Sequence, residues 1–385
     1  MVKSQIVELA RAALETPSQK KDLNIDFDAL YMFAEMHQTE NLLFYGLANR
    51  EIKDSGEKWN EFYNRICKNI YISEMQQYEA ERIFNAFEAE KIEYMPLKGI
   101  VLKRLYSKAD MRTMSDLDVL IKEKQYAAIS SVMKSLGYTE FRESDHEIVW
   151  SDGGFVCVEF HKRLIPSYNK DYYAFYGDGW DFAQKVEGSS RYNMKPEDEY
   201  VYLFTHMAKH YRDSGVGIKQ VIDLWVHRQK YPTMNNEYIE KCLSELNLDV
   251  FHKNICRLLD VWMNDGEHNE ITEKIMDFIF NSGVYGTSQN QIMSNEVKSK
   301  SFEKSGRVGL LVKKVFKPMA FMKKRYPILR HLPFLLPFMW IIRIFDTIIN
   351  KRERFSDLYE KLSPKEIKNY KKELESVGLA YNFDV

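Results

Sequence analysis

The stretch "RTMSDLDVLI" (112–121) carries two aspartates one residue apart, Asp116 and Asp118, at the start of an apolar, strand-like run. Residues two apart on a strand project from one face, so the carboxylates point together while Leu117, Val119 and Ile121 can pack behind them. Carboxylates fixed side by side repel unless a cation lies between them, and a hard oxygen site of this kind suits Mg²⁺. Two cations about 3.5–4 Å apart can clamp the attacking and leaving oxygens of a phosphoryl or nucleotidyl transfer. A third carboxylate from a neighbouring strand would complete such a site. "VCVEFH" offers Glu159, with Cys157 and His161 on its face and Val158 and Phe160 opposite. An aspartate pair alone is a weak signal, since Asp is common at a solvated strand end, and both readings stand at this point.

The flanking residues bear on the choice. "PLKGIVLKRLY" puts Lys98 and Gly99 at a strand-to-helix junction, where unpaired backbone N–H groups and the helix dipole favour a phosphate. Lys98 adds a cation, and Gly99 permits close approach of the backbone. Arg112 and Ser115, just before the first aspartate, are candidates for triphosphate oxygens. Taken one at a time, Lys98 is a surface lysine and Gly99 an ordinary helix start.

Taken in order, "LKGIVLKRLY", "RTMSDLDVLI" and "VCVEFH" resemble the DNA polymerase beta-like nucleotidyltransferase superfamily, and more narrowly its bacterial branch of uncharacterised nucleotidyltransferases. "HMAKHYRDSGVGIKQVIDLW" (206–225) is similar to that branch's helical segment. The resemblance implies a metal-dependent enzyme that moves a nucleoside monophosphate, or another part of an NTP such as ATP, onto an acceptor. It implies that Asp116 and Asp118 bind both of two Mg²⁺ ions. Glu159 would hold the catalytic ion and help activate the acceptor hydroxyl. Lys98, Gly99, Arg112, Ser115 and Lys209 would bind the nucleotide. The chain departs from many members, which have Gly-Ser where it has Lys98–Gly99 and often Asp at the third carboxylate.

Positioning these residues requires an α+β architecture: a small mixed-sheet nucleotidyltransferase core flanked by N-terminal and C-terminal helical regions. Apolar residues recur at helical spacing through "FDALYMFAEMHQTENLLFYGLA" and "YISEMQQYEAERIFNAFEAE", so residues 1–90 read as helices around a polar turn at "EIKDSGEKW". Residues 91–165 read as the α/β core, with strands at "IEYMP", "SDLDVLI", "TEFRE", "HEIVW" and "FVCVEFH" and a hairpin turn at "SDGG". Residues 166–290 return to helical period and would complete the cleft. Within them His206 and His210 share a helix face, but "HMAKH" lacks the glutamate of a zinc helix. A structural pair or a cleft lining is expected, and Lys209, Arg212, Lys219 and Asp223 either join that lining or are solvated.

Residues 291–385 form a basic and apolar C-terminal region: 297–331 hold eleven Lys/Arg against one acidic residue, and "LPFLLPFMWIIRIF" follows. That apolar stretch either packs into the core, lies in a membrane interface, or accompanies the lysines onto a polyanion such as tRNA. No apolar run reaches the roughly 18 residues of a bilayer span, so contact through 297–345 would be peripheral, at the inner membrane face. A net charge of -1 excludes a generally polyanion-binding surface, and apolar residues at 45% exclude a disordered chain. The four cysteines have no ligand-like spacing, and "MVKSQIVELARAALE" lacks a signal peptide's apolar core, so a reduced, cytoplasmic protein is expected. The expected activity is Mg²⁺-dependent nucleotidyl transfer to a small molecule or glycan, as in surface-polysaccharide metabolism. The alternatives are a toxin-like tRNA nucleotidyltransferase and a non-catalytic nucleotide-binding scaffold.

Overall fold

The computed structural model describes residues 2–14, 26–48, 57–284, 286–298, 316–350 and 364–381. The turn expected at "EIKDSGEKW" falls largely on 49–56 and much of the basic stretch on 299–315, both outside the described residues. Three helices come first: α1 (Val2–Leu14), α2 (Phe27–His37) and α3 (Glu40–Leu47). The apolar run "FDALYMFAEMHQTENLLFYGLA" is divided between α2 and α3, where Gln38 adopts a left-handed backbone and ends α2. Helix α4 (Glu57–Ala89) then runs for 33 residues, about 50 Å at the usual rise per residue.

The expected strands form one sheet. β1 (Tyr94–Pro96), β2 (Leu117–Ile121), β3 (Thr139–Glu143), β4 (Glu147–Ser151) and β5 (Cys157–His161) lie in the order β1-β2-β5-β4-β3. Only β2 and β5 run parallel, and the "SDGG" turn joins β4 to β5. The two faces of the sheet have different tasks. Leu117, Val119 and Ile121 of β2 and Val158 and Phe160 of β5 pack with Ile148 and Trp150 of β4 in one core. The second half of α4 (Ile83, Phe84, Phe87) and α6 (Tyr126–Ser135) cover them. Truncating Phe160 to Ala there would cost about 3–5 kcal/mol. The alternate residues of the same strands face the other way, toward the helices.

Those helices are α8 (Pro196–Asp213), α9 (Ile218–Lys230), α10 (Asn236–Glu245), α11 (Asp249–Met263), α12 (Glu270–Ser282) and α13 (Ser288–Lys298), preceded by the short α5 (Gly99–Leu102) and α7 (Lys170–Tyr176). Pro196 at the first turn, followed by Glu197, Asp198 and Glu199, starts α8 where a fixed φ and negative charge suit a helix N-terminus. The "SGVG" break between α8 and α9 needs Gly215. Its φ is +126°, and a Cβ there would lie 2.5 Å from Ser282. A second core unites α1, α2 and α3 with α8, α9, α11, α12 and the first half of α4. The N-terminal helices therefore pack directly on the helices behind the cleft.

His37 makes that junction specific. Its Nδ1 accepts the Ile218 N–H at 3.2 Å, so its Nε2–H donates to the Phe280 carbonyl, also at 3.2 Å. One buried, neutral imidazole thus ties α2 to the start of α9 and to α12. Burial holds its pKa down at about 4. Beside it, Thr113 donates its hydroxyl to the Gln38 carbonyl at 2.6 Å, and Lys219 donates to the Gln38 side chain at 3.0 Å.

Candidate active site

The parallel pairing of β2 with β5 sets Asp118 opposite Glu159 in register, with Leu120 opposite His161. Asp116 lies just before β2. The side-chain alternation that buries Leu117 and Val119 in the sheet core turns Asp118, Glu159 and His161 to the opposite face. Asp118 is buried, and two donors hold one of its oxygens. Lys98 Nζ donates to Oδ1 at 2.7 Å and His161 Nε2 to the same atom at 2.6 Å. The same imidazole nitrogen lies 3.9 Å from Glu159 Oε2. Lys98 holds this position with a left-handed backbone, φ +47° and ψ −116°, a strained state for a side-chain-bearing residue and costing about 1–3 kcal/mol.

The three carboxylates are not equivalent. Burial works against ionisation of Asp118, but the Lys98 ammonium and the His161 hydrogen bond override it and hold the group well below the usual carboxylate range. Burial and the negative Asp118 push Asp116 up to about 6. Glu159 is pushed up to about 8 by burial, with Asp116 and Asp118 adding their repulsion. A cation would relieve this crowding. Asp118, Glu159 and His161 each offer one ligand atom within 4.8 Å of the others, the one such group among the described residues. With the His161 N–H spent on Asp118, the carboxylate oxygens of Asp118 and Glu159, with Asp116 beside them, are the donors that fit a hard divalent metal ion.

The cleft above this floor has a volume of about 260 Å³. One wall comes from α8, which presents Leu203, His206, Lys209 and His210, and another from α9, with Lys219, Gln220 and Asp223. His206 and His210 stand with their Nε2 atoms 3.2 Å apart, so one donates and the other accepts. Burial and the Lys98 charge keep both well below the ordinary histidine range. Burial also lowers Lys209 to about 8, with repulsion from Lys98 adding, and Lys219 to about 7, with repulsion from Arg112 adding. An anionic ligand would favour the charged form of both groups.

The structure brings Lys98, Gly99, Arg112, Ser115, Asp116, Asp118, Glu159 and Lys209 to this one cleft. Several do something other than their type suggested. Helix α5 is only four residues long, so little dipole stands behind Gly99. A Cβ on Gly99 would lie 2.9 Å from the Met114 Cβ, so the glycine lets the segment leading to Asp116 pack against α5. The Arg112 guanidinium is engaged: its Nε contacts both oxygens of Asp223 at 2.8 and 2.9 Å. Another nitrogen of the same group donates to the Thr113 carbonyl. Tyr106 donates its hydroxyl to Asp223 at 2.8 Å, so this aspartate ties the approach to β2 to α9. Arg212 does not join the cleft lining. It is fully buried, with Asp171 and the Ala380 carbonyl as its partners.

Two residues of the site went unassigned in sequence. His161 was placed on the face of Glu159, but nothing local says that it reaches across to Asp118. Glu147, opposite His161 in the β4–β5 register, also lines the cleft. A hydrogen bond from His146 brings its carboxyl down to about 2. Only the sheet pairing makes either legible.

Residues 24–264 match the family described as uncharacterised nucleotidyltransferase. No curated protein matches the chain. Among solved structures, a crystal structure of ANT(2'')-Ia in complex with adenylyl-2''-tobramycin is 10% identical, with a TM-score of 0.34, over 45% of this chain and 97% of that one. A solution structure of ANT(2'')-Ia is 11% identical, with a TM-score of 0.35, over 49% and 97%. An antigenic nucleotidyltransferase-like protein from Paracoccidioides brasiliensis is 13% identical, with a TM-score of 0.29, over 52% and 95%. The family match covers most of the chain and contains every acidic and basic cleft residue from Lys98 to Asp223. The chain belongs to the family of uncharacterised nucleotidyltransferases, and the protein is a nucleotidyltransferase.

Proposed function

We propose that the protein transfers a nucleoside monophosphate from an Mg²⁺-bound NTP to a hydroxyl of a small molecule or glycan, in the manner of surface-polysaccharide metabolism. The observation that carries this reading is the in-register placement of Asp118 and Glu159 on parallel strands, with Asp116 beside them, at the floor of a cation-lined cleft. Asp116, Asp118 and Glu159 would hold the metal, which when bound supplies charge stabilisation for the transferring phosphoryl group. The rest is the work of the chain's own side chains.

Lys98, which donates to Asp118, would be free to turn its ammonium to the triphosphate were a cation to take its place on that carboxylate. Lys209 and Lys219, whose charge burial opposes, would be held as ammonium groups beside the phosphates and orient them. Ser115 adds a hydroxyl at the mouth of the aspartate pair. Glu159, ionised once a cation offsets the repulsion of Asp116 and Asp118, would accept the proton of the acceptor hydroxyl. Arg112 serves this reading by fixing Asp223 and the cleft wall, with the nucleotide held by the lysines.

The test is a panel of NTPs with Mg²⁺, incubated with total small metabolites, glycans and RNA and read by mass spectrometry. A nucleotidyl adduct on a small or glycan acceptor is expected. An adduct found only on tRNA would replace the acceptor class, and absence of Mg²⁺-dependent NTP binding would sink the reading.

A further inference from the structure

The apolar stretch near the C-terminus does not pack into the core. Phe334 is 70% exposed, Phe338 62% and Phe345 60%, and Ile341 and Ile342 are also exposed. Phe338, Ile341, Ile342 and Phe345 fall at spacings of three, one and three in the helix Leu336–Asn350, so they form a single stripe. Phe334 extends that stripe from the preceding turn. Apolar side chains gathered on one face in this way mark an interaction surface.

The surrounding residues say what kind. Between Phe316 and Phe345 there are six Lys/Arg and no acidic residue. Cations and rings interleave: Lys317 Nζ and the Arg343 guanidinium each lie 5.8 Å from the Phe321 ring centre. The unit has its own small interior, with Met322 and Leu329 fully buried and Trp340 packed edge-on to Phe316 while its indole N–H donates to the Lys317 carbonyl at 2.8 Å. The stripe is therefore presented by a built element. Its helix has 15 residues, fewer than the roughly 20 needed to span a bilayer. No helix among the described residues is long and apolar enough to cross a membrane.

We propose that residues 316–345 dock the protein on an anionic lipid surface, with the Phe334–Phe345 stripe among the acyl chains and the Lys/Arg residues at the headgroups. A second copy of the chain fits less well, because it would bring like charges together. Single-stranded nucleic acid fits less well too, since Ile341 and Ile342 have no ring on which a base could stack. This inference stands on the exposed stripe and its charge, independently of the nucleotidyl reading.

The experiment is flotation of the full-length protein with phosphatidylglycerol-containing vesicles and with phosphatidylcholine vesicles, at low and high salt. Flotation with the anionic vesicles only, weakened by salt, is expected. Phe334→Ser with Phe338→Ser should weaken it by about tenfold or more, given the apolar area withdrawn. Lys317→Glu with Arg330→Glu should weaken it by about fivefold per charge removed. Both double variants alter the C-terminal unit rather than the cleft, and a circular dichroism spectrum and thermal unfolding matching the wild type report that each folds. Failure of the wild-type chain to float overturns the proposal. So does a face that closes into a dimer, seen as a monomer on sizing only in the Phe334→Ser, Phe338→Ser protein. Retention of RNA in place of vesicles would overturn it as well.

Discussion

Lys98 Nζ sits 2.7 Å from Asp118 Oδ1, so the cleft's own cation occupies the carboxylate that a metal ion would need. The two charges are buried together, and each sets the ionisation of the other. Asp118 is held deprotonated, and Lys98, though burial opposes its charge, is held protonated. On the proposed function, metal and ammonium would exchange at Asp118 Oδ1.

Asp118→Asn should abolish transfer and also lower stability, because an amide keeps the shape but leaves the buried Lys98 ammonium without its counter-charge. The expected loss is about a thousandfold or more, the scale of several kcal/mol of metal-borne charge stabilisation. Lys98→Met should instead weaken NTP binding while easing metal access to Asp118. The pair is checked by measuring turnover and separate metal and nucleotide titrations. Equal losses of metal and nucleotide affinity in Lys98→Met would contradict the exchange.

His161 acts through Asp118, to which it donates at 2.6 Å. Groups that orient metal ligands typically contribute about 10- to 100-fold in metal affinity. His161→Phe should therefore raise the dissociation constant for Mn²⁺ or Mg²⁺ by that factor, with His161→Gln recovering part of it through its amide N–H. Calorimetric titration reads the constant directly. If His161→Phe binds metal like the wild type, the imidazole only fills space.

Asp223 anchors Arg112 and Tyr106 from across the cleft. Replacing it with Asn leaves a buried guanidinium without its counter-charge, so stability should fall by about 3–5 kcal/mol. Urea unfolding measures this. A loss under 1 kcal/mol, about the scale of an exposed ion pair, would show that Arg112 finds another partner or water.

Burial holds His37 and His252 at about 4, while an unfolded histidine titrates near the ordinary value of 6.5. As pH falls through this window the unfolded chain takes up protons that the folded chain refuses, so stability falls. From about pH 7 to about pH 5 the loss should be about 2 kcal/mol for each such histidine. In denaturant titrations at the two pH values, His37→Gln should show a shallower loss than the wild type. An identical slope would mean that His37 protonates without leaving its two backbone partners.

Local pattern made much of this legible. The alternation in "SDLDVLI" and "CVEFH" marked two strands with carboxylates on one face and apolar residues on the other, because a strand's side chains alternate whatever surrounds it. The 196–230 pattern marked α8 and α9 with their break, because helix caps and Gly215 act within a few residues. Asp116, Asp118 and Glu159 were found in this way. His161's reach to Asp118 and Glu147's place at the cleft were not, since both follow from strand pairing between segments far apart in sequence.

By itself, then, the sequence determined which side chains share a face, where helices start and stop, and that three carboxylates and several cations were available. Only the tertiary structure decided how they pair. It put Lys98 on Asp118 and took Arg112 for Asp223. It drew Arg212 inward to Asp171 and left the Phe334–Phe345 stripe uncovered. The reason is physical: periodicity is a short-range property of the backbone. The partner of a buried charge, or the cover for an apolar face, depends on which distant segments the packing brings within about 3 Å for a hydrogen bond or 4 Å for an apolar contact.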